Sequence, residues 1–515
     1  MDNAVFTFLS SALDKDTFEV LHFSGREAIA ELYDFEILLL SSQADIDAAT
    51  VLQGTATFTI RPPFAPQEGL EYHGIPASFE MLHRMGGRYV YRVRLRHKLW
   101  WLTLVRHNRV FLDQSPLEAC ALVLRECGLA ENMDFVWKCR GSYPKREFIC
   151  QYDESDFAFL SRWLERLGIY YWFEQDAGGP RCVLGDAAAI HSPLPGNEFC
   201  DFVEPSGLNP ENPGLVVADF QALYSPLPRE VCFRNYNPQK PDLDLTVSQP
   251  VSPQGRGVFY RYGGNYATPE EGRTLARVEA ESLLCRAARY SGRSHNPALR
   301  PGYIFTLRHH YRALWNQPWL TVSVRHEGSQ ARLVARALGI SGLTDADRLY
   351  YRNEFTCIPA DTQFRSARVT PWPQVAGSVP AKVDGQGSGQ YAELDEQGRY
   401  KVILPFDASG RGQGKASCWL RMMQPYAGEG MGFHAPLHKG TEVMVTFVCG
   451  DPDQPLIAAA VPNPVTPSPV TDANASQISL HSATGQKFHI EDAQGREHIL
   501  FSSADGANYI KIGKF

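Results

Sequence analysis

Residues 440–448, GTEVMVTFV, decide the fold of the part of the chain around them. Val443, Val445 and Phe447 alternate with residues that point the other way, which is the pattern of a strand with one buried face. The same alternation occurs in residues 399–406, RYKVILPF, and strand-like runs also occur at VPAKVDG, ASCWLRMMQ and PLIAAAV. Five short strands in about 85 residues predict a small Greek-key barrel of the OB type.

The composition places this barrel in a larger, mainly β protein. A chain of 515 residues predicts three or four domains at about 100–200 residues each. Hydrophobic residues make up 44% and charged residues 21%, which is the composition of a globular protein. Runs of β-branched and aromatic residues are punctuated by 42 glycines and 35 prolines, so strands predominate over a few helices.

Charge and hydropathy exclude several functions. The net charge of −7 argues against a chain-wide attraction to phosphate backbones or anionic lipid. The first twenty residues lack the basic start and apolar core of a secretory signal, and no stretch approaches the roughly 18 apolar residues of a spanning helix. We therefore expect cytoplasmic synthesis and no transmembrane segment. Eleven cysteines, an odd number without a C-x-x-C pair, predict reduced thiols.

Three helices are predicted within residues 1–375, which otherwise alternate strand-like runs and turns as in barrel-like domains. Ser115 and Thr268 each precede a proline and stand three residues before a glutamate, which is a capping-box signature. The second helix along the chain, DESDFAFLSRWLERLG, carries an apolar stripe that includes Leu160 and ends at Gly168.

Two proline-rich connectors divide the rest of the chain. Prolines cluster from residue 355 to 380, before the OB domain of residues 376–462. VPNPVTPSPV then opens residues 463–515, where strands of four or five residues alternate with glycine turns. So short a tail cannot bury a core of its own, so we expect it to pair with other chains or to continue past Phe515.

Asp451 and Asp453 are the most conspicuous candidates for acid–base catalysis, in CGDPDQPLIAAAV. Turn chemistry explains every residue type there, because Asp451 suits the first position of a turn and Pro452 fixes φ at the second. No G-x-S-x-G nucleophile motif occurs. We predict a turn and no catalytic residues, although acidic pairs elsewhere leave a hydrolase as an open alternative.

His434 and His438, with Cys449 and Asp451 further along, are residue types that bind zinc, so they are candidate zinc ligands. Pro436 between the histidines rules out a helix that would align them, so we predict no metal and no cofactor. RGQGKAS resembles a phosphate loop, but Ser409 replaces its first glycine and a strand follows, so a hairpin loop is expected.

A nucleic-acid interface is the other alternative, because OB barrels bind single strands through aromatic platforms and basic grooves. Tyr400 and Phe406 share an alternation with Val402 and Leu404, which predicts core positions instead, and we predict no nucleic-acid partner. The candidate aromatic and basic residues are Tyr400, Phe406, Trp419, Tyr426, Lys401, Arg411, Lys415 and Arg421.

Long ordered stretches carry a family resemblance. They include LHFSGREAIAELYDFEILLLS, REFICQYDESDFAFLSRWLERLGIYYWFE, DEQGRYKVILPFD and WLRMMQPYAGEGMGFHAPLHKGTEVMVTFVCGDPDQPLIAAAVPN. Together they resemble the valine-glycine repeat protein G (VgrG) family, the spike of the bacterial type VI secretion system, which is related to the hub and spike of contractile phage tails.

The resemblance implies a non-enzymatic homotrimer with hub barrels, three OB barrels and an intertwined trimeric β-helix. It implies a secretion tube protein at the hub base, and a tip protein and effector cargo at the stalk. Such a spike is assembled in the bacterial cytoplasm, exported by the type VI system and driven mechanically through a target membrane. The sequence stops at Phe515, soon after the β-helix would begin, so the length of the native stalk stays open.

Overall fold

The fold is given by a computed structural model that describes residues 5–61, 69–176, 179–196, 198–204, 216–338 and 349–514. Phe515, which ends the sequence, lies outside these residues. Strands account for 43% and helices for 14%, which confirms the predicted mainly β class.

The described residues contain strands and helices with the following bounds. The strands are β1 Phe6–Ser10, β2 Glu19–Ala28, β3 Asp34–Ser41, β4 Ala56–Ile60, β5 Leu70–Met85, β6 Arg88–Arg96, β7 Arg106–Gln114, β8 Phe135–Lys138, β9 Arg146–Ser155, β10 Tyr170–Asp176, β11 Gly179–Gly185, β12 Ser192–Pro193, β13 Phe199–Phe202, β14 Val216–Tyr224, β15 Glu230–Arg234, β16 Val247–Pro250, β17 Val258–Tyr262, β18 Ala288–Ser294, β19 Tyr303–Arg308, β20 Pro318–Ser329, β21 Tyr350–Pro359, β22 Ser378–Asp384, β23 Lys401–Ile403, β24 Ala427–Gly428, β25 Met431–Gly432, β26 Glu442–Phe447, β27 Pro455–Ala460, β28 Gln477–His481, β29 Lys487–Glu491, β30 His498–Ser502 and β31 Tyr509–Gly513. The α-helices are α1 Ala48–Gln53, α2 Pro116–Glu126, α3 Asp156–Leu167, α4 Pro269–Leu284 and α5 Ala331–Leu338.

The predicted helix starts are confirmed. The Ser115 side chain accepts from the N–H of Glu118 while the Glu118 carboxylate accepts from the N–H of Ser115, which forms the capping box of α2. At α4 the Thr268 hydroxyl accepts from the N–H of Glu271, but the Glu271 carboxylate reaches one residue further back, to the N–H of Ala267. Local sequence therefore determines where these helices begin.

Helix α3 is buried more completely than its apolar stripe predicts. Leu160 is buried and Gly168 ends the helix in a left-handed conformation with φ of 74°, as expected. Arg162, Trp163 and Glu165, outside the predicted stripe, are also buried. Amphipathic periodicity does not predict this second face, because two of its residues are charged: Arg162 pairs with Glu154, and Glu165 accepts from the Thr370 hydroxyl.

The chain forms two compact units, the first of which comprises residues 1–107, 113–146 and 151–373. Within it, strands run in the order β20-β21-β18-β14-β13-β19, and β19 also pairs with β20, so six strands close into a barrel. Phe305 and Trp319, from two of its strands, belong with Trp172 to one buried hydrophobic cluster. The sheet continues through β2 into the order β2-β3-β6-β5-β4-β1.

The side chain of Gln330 links β1 and β2 at the two ends of this second, curled sheet. Its Oε1 accepts from the N–H groups of Val5 and Phe6, and its Nε2 donates to the carbonyls of Phe6 and Val20. One buried amide thus replaces several ladder hydrogen bonds between these strands. The predicted barrel-like hub therefore contains one closed barrel and one curled sheet. Hydrogen bonds from Gln330 connect the two end strands of the curled sheet.

The second unit comprises residues 108–112, 147–150 and 374–515 and contains the OB barrel. Its sheet runs β23-β22-β26-β27, and Tyr400, Val402, Leu404, Val443 and Val445 are buried, as their alternation predicts.

The run ASCWLRMMQ is not the strand that the sequence predicts. Leu420 makes only an isolated bridge with Tyr400, and Met422 makes one with Ile457. The Ser417 hydroxyl accepts from the N–H of Val402, so a side chain takes a position that a neighbouring strand would fill. This competition between side chain and backbone shortens the ladder.

All eleven cysteines are free thiols, which agrees with the predicted absence of a disulfide framework. Among the described residues, no helix combines the length and the apolar composition needed to span a lipid bilayer.

Candidate functional site

The C-terminal sheet has one wholly apolar face. Strands β28, β29, β30 and β31 form an antiparallel meander in chain order. Residues opposite one another across strands share a face, and alternate residues along a strand share it too. The register therefore places eight apolar side chains together as the apolar face: Ile478, Leu480, Phe488, Ile490, Ile499, Phe501, Ile510 and Ile512.

This apolar face is exposed. Ile478, Ile510 and Ile512 expose 60%, 62% and 60% of their surface, and the rings of Phe488 and Phe501 stack with centroids 4.6 Å apart. A soluble single sheet does not leave such a face in water, because burying it is the main source of its stability. The face is the strongest candidate in the described residues for an assembly surface.

The opposite face, the polar face, carries the alternate residues of the same strands. It contains three histidines, His481, His489 and His498, and the carboxylate of Glu491. A hydrogen bond from the Ser476 hydroxyl, with others, lowers the pKa of Glu491 to about 2. Burial and the neighbouring His498 lower the pKa of His489. The sheet is therefore amphipathic, with its titratable groups on one side.

Asp451 and Asp453 lie in a turn, as predicted. The N–H of Gln454 donates to the carbonyl of Asp451 at 2.9 Å, and the Asp451 carboxylate accepts from the N–H of Asp453 and from the Gln454 amide. The Asp453 carboxylate accepts from the N–H of Cys150 at 2.6 Å. Both side chains are buried, and both carboxylates accept hydrogen bonds from backbone N–H groups. These contacts stabilise the turn and the segment beside it.

His434 and His438 contact different neighbours in the structure. His434 lies 3.5 Å from the Tyr400 hydroxyl, whereas His438 contacts the Gln390 amide at 3.0 Å and the Tyr391 ring. Across the described part of the chain, no three His, Cys, Asp or Glu side chains cluster as metal ligands.

Several of the aromatic and basic residues that a nucleic-acid interface would use are engaged in contacts within the protein. Tyr400 is a core residue, as predicted, while Phe406 is only half-buried. The Lys401 ammonium lies 4.7 Å from the centre of the Trp419 ring, and the Arg411 guanidinium donates to the carbonyl of Val110. These contacts occupy residues that the alternative function would need free.

The phosphate-loop candidate, RGQGKAS, is a loop whose Gly414 backbone is hydrogen-bonded by two neighbouring side chains. The N–H of Gly414 donates to the Asp384 carboxylate at 2.8 Å, and the Lys401 ammonium donates to the carbonyl of Gly414 at 2.7 Å. An N–H that binds this carboxylate cannot also cradle a phosphate.

A buried polar network in the first unit has no local sequence pattern that predicts it. His326 Nε2 lies 3.1 Å from the Glu27 carboxylate, which also accepts from the Tyr72 hydroxyl, and His326 Nδ1 lies 2.8 Å from the Tyr351 hydroxyl. Burial raises the pKa of both tyrosines. The participants are far apart in sequence, and all are buried, so they stabilise the core rather than meet a substrate.

Two protein families match this chain, one mainly in the first unit and one in the OB domain. Residues 26–332, more than half of the chain, match the phage tail baseplate hub (GPD) family. Residues 392–461 match the type VI secretion system/phage-baseplate injector OB domain.

Two curated relatives and one solved structure are similar to most or all of the chain. The type VI secretion system spike protein VgrG4b of Pseudomonas aeruginosa is 32% identical over 513 residues, which cover 96% of this chain and 62% of that protein. The actin cross-linking toxin VgrG1 of Vibrio cholerae is 28% identical over 543 residues, covering 100% of this chain and 47% of the toxin. The chain thus spans about half to three fifths of the length of these relatives.

The solved structure is an E. coli component of the type VI secretion system, described as similar to the tail proteins gp27 and gp5 of bacteriophage T4. It superposes with a TM-score of 0.64 at 24% identity, over 88% of this chain and 99% of that one. Hub barrels followed by an injector OB domain define the class of contractile baseplate hub proteins. The chain belongs to the phage tail baseplate hub family, and its homologues include type VI secretion system spike proteins named VgrG.

Proposed function

We propose that the chain is the subunit of a homotrimeric hub and spike of a type VI secretion apparatus. In this role residues 1–375 form the hub, 376–462 the OB collar and 463–515 the beginning of the stalk. Its action is mechanical rather than catalytic, which fits relatives that are named as spike proteins.

The exposed apolar face carries the proposal. Three copies related by a three-fold axis would turn their apolar faces inward and enclose one shared core, leaving the three polar faces in water. The tail then obtains from its partners the core that it cannot build alone. A stalk of this kind has its strands paired or covered, which suits it to bear compression.

The remaining partners follow from this role. A secretion tube protein would contact the hub base, and a tip protein and effector cargo would attach at the stalk. The toxin name of the Vibrio cholerae relative, which is about twice as long, supports cargo carried as an extension of a spike. The assembly would form in the bacterial cytoplasm and leave by the type VI system, piercing the target membrane.

Sedimentation velocity of the full chain tests the assembly. We expect a particle of three 57.6 kDa subunits. The double variant Phe501→Asp/Ile510→Asp puts two charges on the apolar face at a cross-strand pair and should give monomers. The control Ser502→Asp/Tyr509→Asp alters the next pair, on the polar face, and should stay trimeric. A monomeric wild-type chain, or equal behaviour of the two variants, contradicts the proposal.

A further inference from the structure

Two histidines on the polar face of the C-terminal sheet point their ring nitrogens at each other. His489 lies on β29 and His498 on β30, and their Nε2 atoms are 3.4 Å apart. The register pairs Glu491 with His498 and His489 with Leu500, so the two imidazoles are diagonal neighbours on one face. They are nine positions apart in sequence with a turn between them, and only this register brings them together.

The tautomer of His498 is determined by its other nitrogen. His498 Nδ1 lies 2.7 Å from the carbonyl oxygen of Arg496. A carbonyl oxygen only accepts, so Nδ1 carries the proton and the neutral ring presents an Nε2 lone pair to His489. A ring nitrogen that donates to a backbone carbonyl while the other faces a ligand is the usual arrangement around a metal-binding histidine.

The nitrogen separation fits a metal chelate. Two Zn–N bonds of about 2.0–2.1 Å that meet at a tetrahedral angle hold their nitrogens about 3.3–3.4 Å apart. We propose that His489 and His498 form a two-histidine site for a divalent transition metal, Zn²⁺ in particular, with water in the remaining positions. Imidazole pairs suit Zn²⁺ and exclude the hard cations Mg²⁺ and Ca²⁺, which prefer oxygen.

The surroundings of the pair are compatible with this site. Both rings are half-buried, so solvent and a metal ion reach them. The nearby Glu491 carboxylate accepts hydrogen bonds from the Ser476 hydroxyl and the N–H of Ala493, so it supports the loop rather than the metal. A bound ion would link β29 to β30 through one histidine from each strand.

Calorimetric titration of the EDTA-treated full chain with ZnCl₂ at pH 7.5 tests the site. We expect about one Zn²⁺ per chain, and affinity at least about tenfold weaker in His489→Asn and in His498→Asn. The control His434→Asn/His438→Asn removes the histidine pair of the OB domain and should bind as the wild type does. Absence of wild-type binding, or loss of binding in the control alone, overturns the proposal.

A second measurement covers the case in which a stalk substitution disturbs folding. X-ray absorption of the Zn²⁺-loaded wild-type chain should show two imidazole ligands with oxygen in the other positions. A spectrum without imidazole scattering overturns the proposal. Zn²⁺ should also raise the thermal midpoint of the wild type and of the control, but not of the two stalk variants, because only a native site that binds the ion stabilises the fold.

Discussion

The Asp453 carboxylate accepts a hydrogen bond from the backbone N–H of Cys150, 2.6 Å away and 303 positions earlier in the chain. Both residues belong to the second unit, in which residues 147–150 of β9 accompany the OB barrel. The turn around Asp453 thus does more than reverse the chain. It presents an anion to a buried N–H group of a segment from another part of the sequence.

We predict that Asp453→Ala destabilises the protein by about 1.5–3 kcal/mol, the range for a lost hydrogen bond to a charged group. Urea unfolding gives the change in the free energy of unfolding. Asp472→Ala, at an exposed aspartate, is the control and should cost less than about 0.5 kcal/mol. Equal costs for the two variants would show that the bond to Cys150 does not stabilise the fold.

Gly302 combines a left-handed backbone with close packing. Its φ is +87°, and a Cβ at this position would lie 2.4 Å from Trp172 Cδ1. Gly87 has a similar φ of +82° but nothing within 4 Å. Gly302→Ala should therefore lower the free energy of unfolding by about 1–3 kcal/mol more than Gly87→Ala, through overpacking alone. If the two variants lose similar amounts of unfolding free energy, backbone strain alone explains the loss and the contact with Trp172 contributes nothing.

The buried pair of Arg162 and Glu154 should show strong coupling. Arg162 Nη2 lies 2.7 Å from Glu154 Oε1, and the two side chains are 1% and 7% exposed. Either Glu154→Leu or Arg162→Met alone leaves a buried charge and should cost about 3–5 kcal/mol. The double variant should cost clearly less than the sum, as a double-mutant cycle measures.

The control cycle uses Glu270 and Arg273, an exposed pair one turn apart on α4. Its coupling should fall below about 1 kcal/mol. If the buried and the exposed pair show equal coupling energies, burial does not strengthen the interaction between Arg162 and Glu154.

His97 should make stability depend on pH. Burial lowers its pKa from 6.5 to about 3, and its Nδ1 accepts from the N–H of Leu99. The folded state thus disfavours the proton, so this stability is complete above pH 6.5 and is lost as pH falls toward 3. The slope from this residue is about 1.4 kcal/mol per pH unit.

Urea unfolding at several pH values between 6.5 and 3 checks this slope. His97→Asn should remove that part of the pH dependence, whereas His481→Asn, at an exposed histidine, should preserve it. An unchanged slope in His97→Asn would contradict a buried neutral ring.

Features whose partners lie within a few residues could be predicted from the sequence. The capping box of Ser115 and Glu118 and the turn from Asp451 to Gln454 each close within four residues, so residue type and spacing suffice. The alternation around Val443 and Val445 likewise revealed the buried face of a strand. The long ordered stretches revealed the VgrG family.

Register and long-range pairing decided the rest. ASCWLRMMQ reads as a strand, but the Ser417 hydroxyl occupies a ladder position and leaves only isolated bridges. Arg162 and Glu165 lie outside the apolar stripe that the sequence predicts, yet they are buried in the first unit.

The sequence by itself determined the mainly β class, the helix ends and the OB core, because these depend on local dihedral preferences and on the hydrophobic period. The family resemblance came instead from long ordered stretches of the sequence. The tertiary structure alone decided that eight apolar residues share one exposed face, that His489 meets His498, and that Asp453 binds Cys150. The physical reason is that a shift of one residue in strand register moves every side chain to the opposite face, and no local preference sets that register.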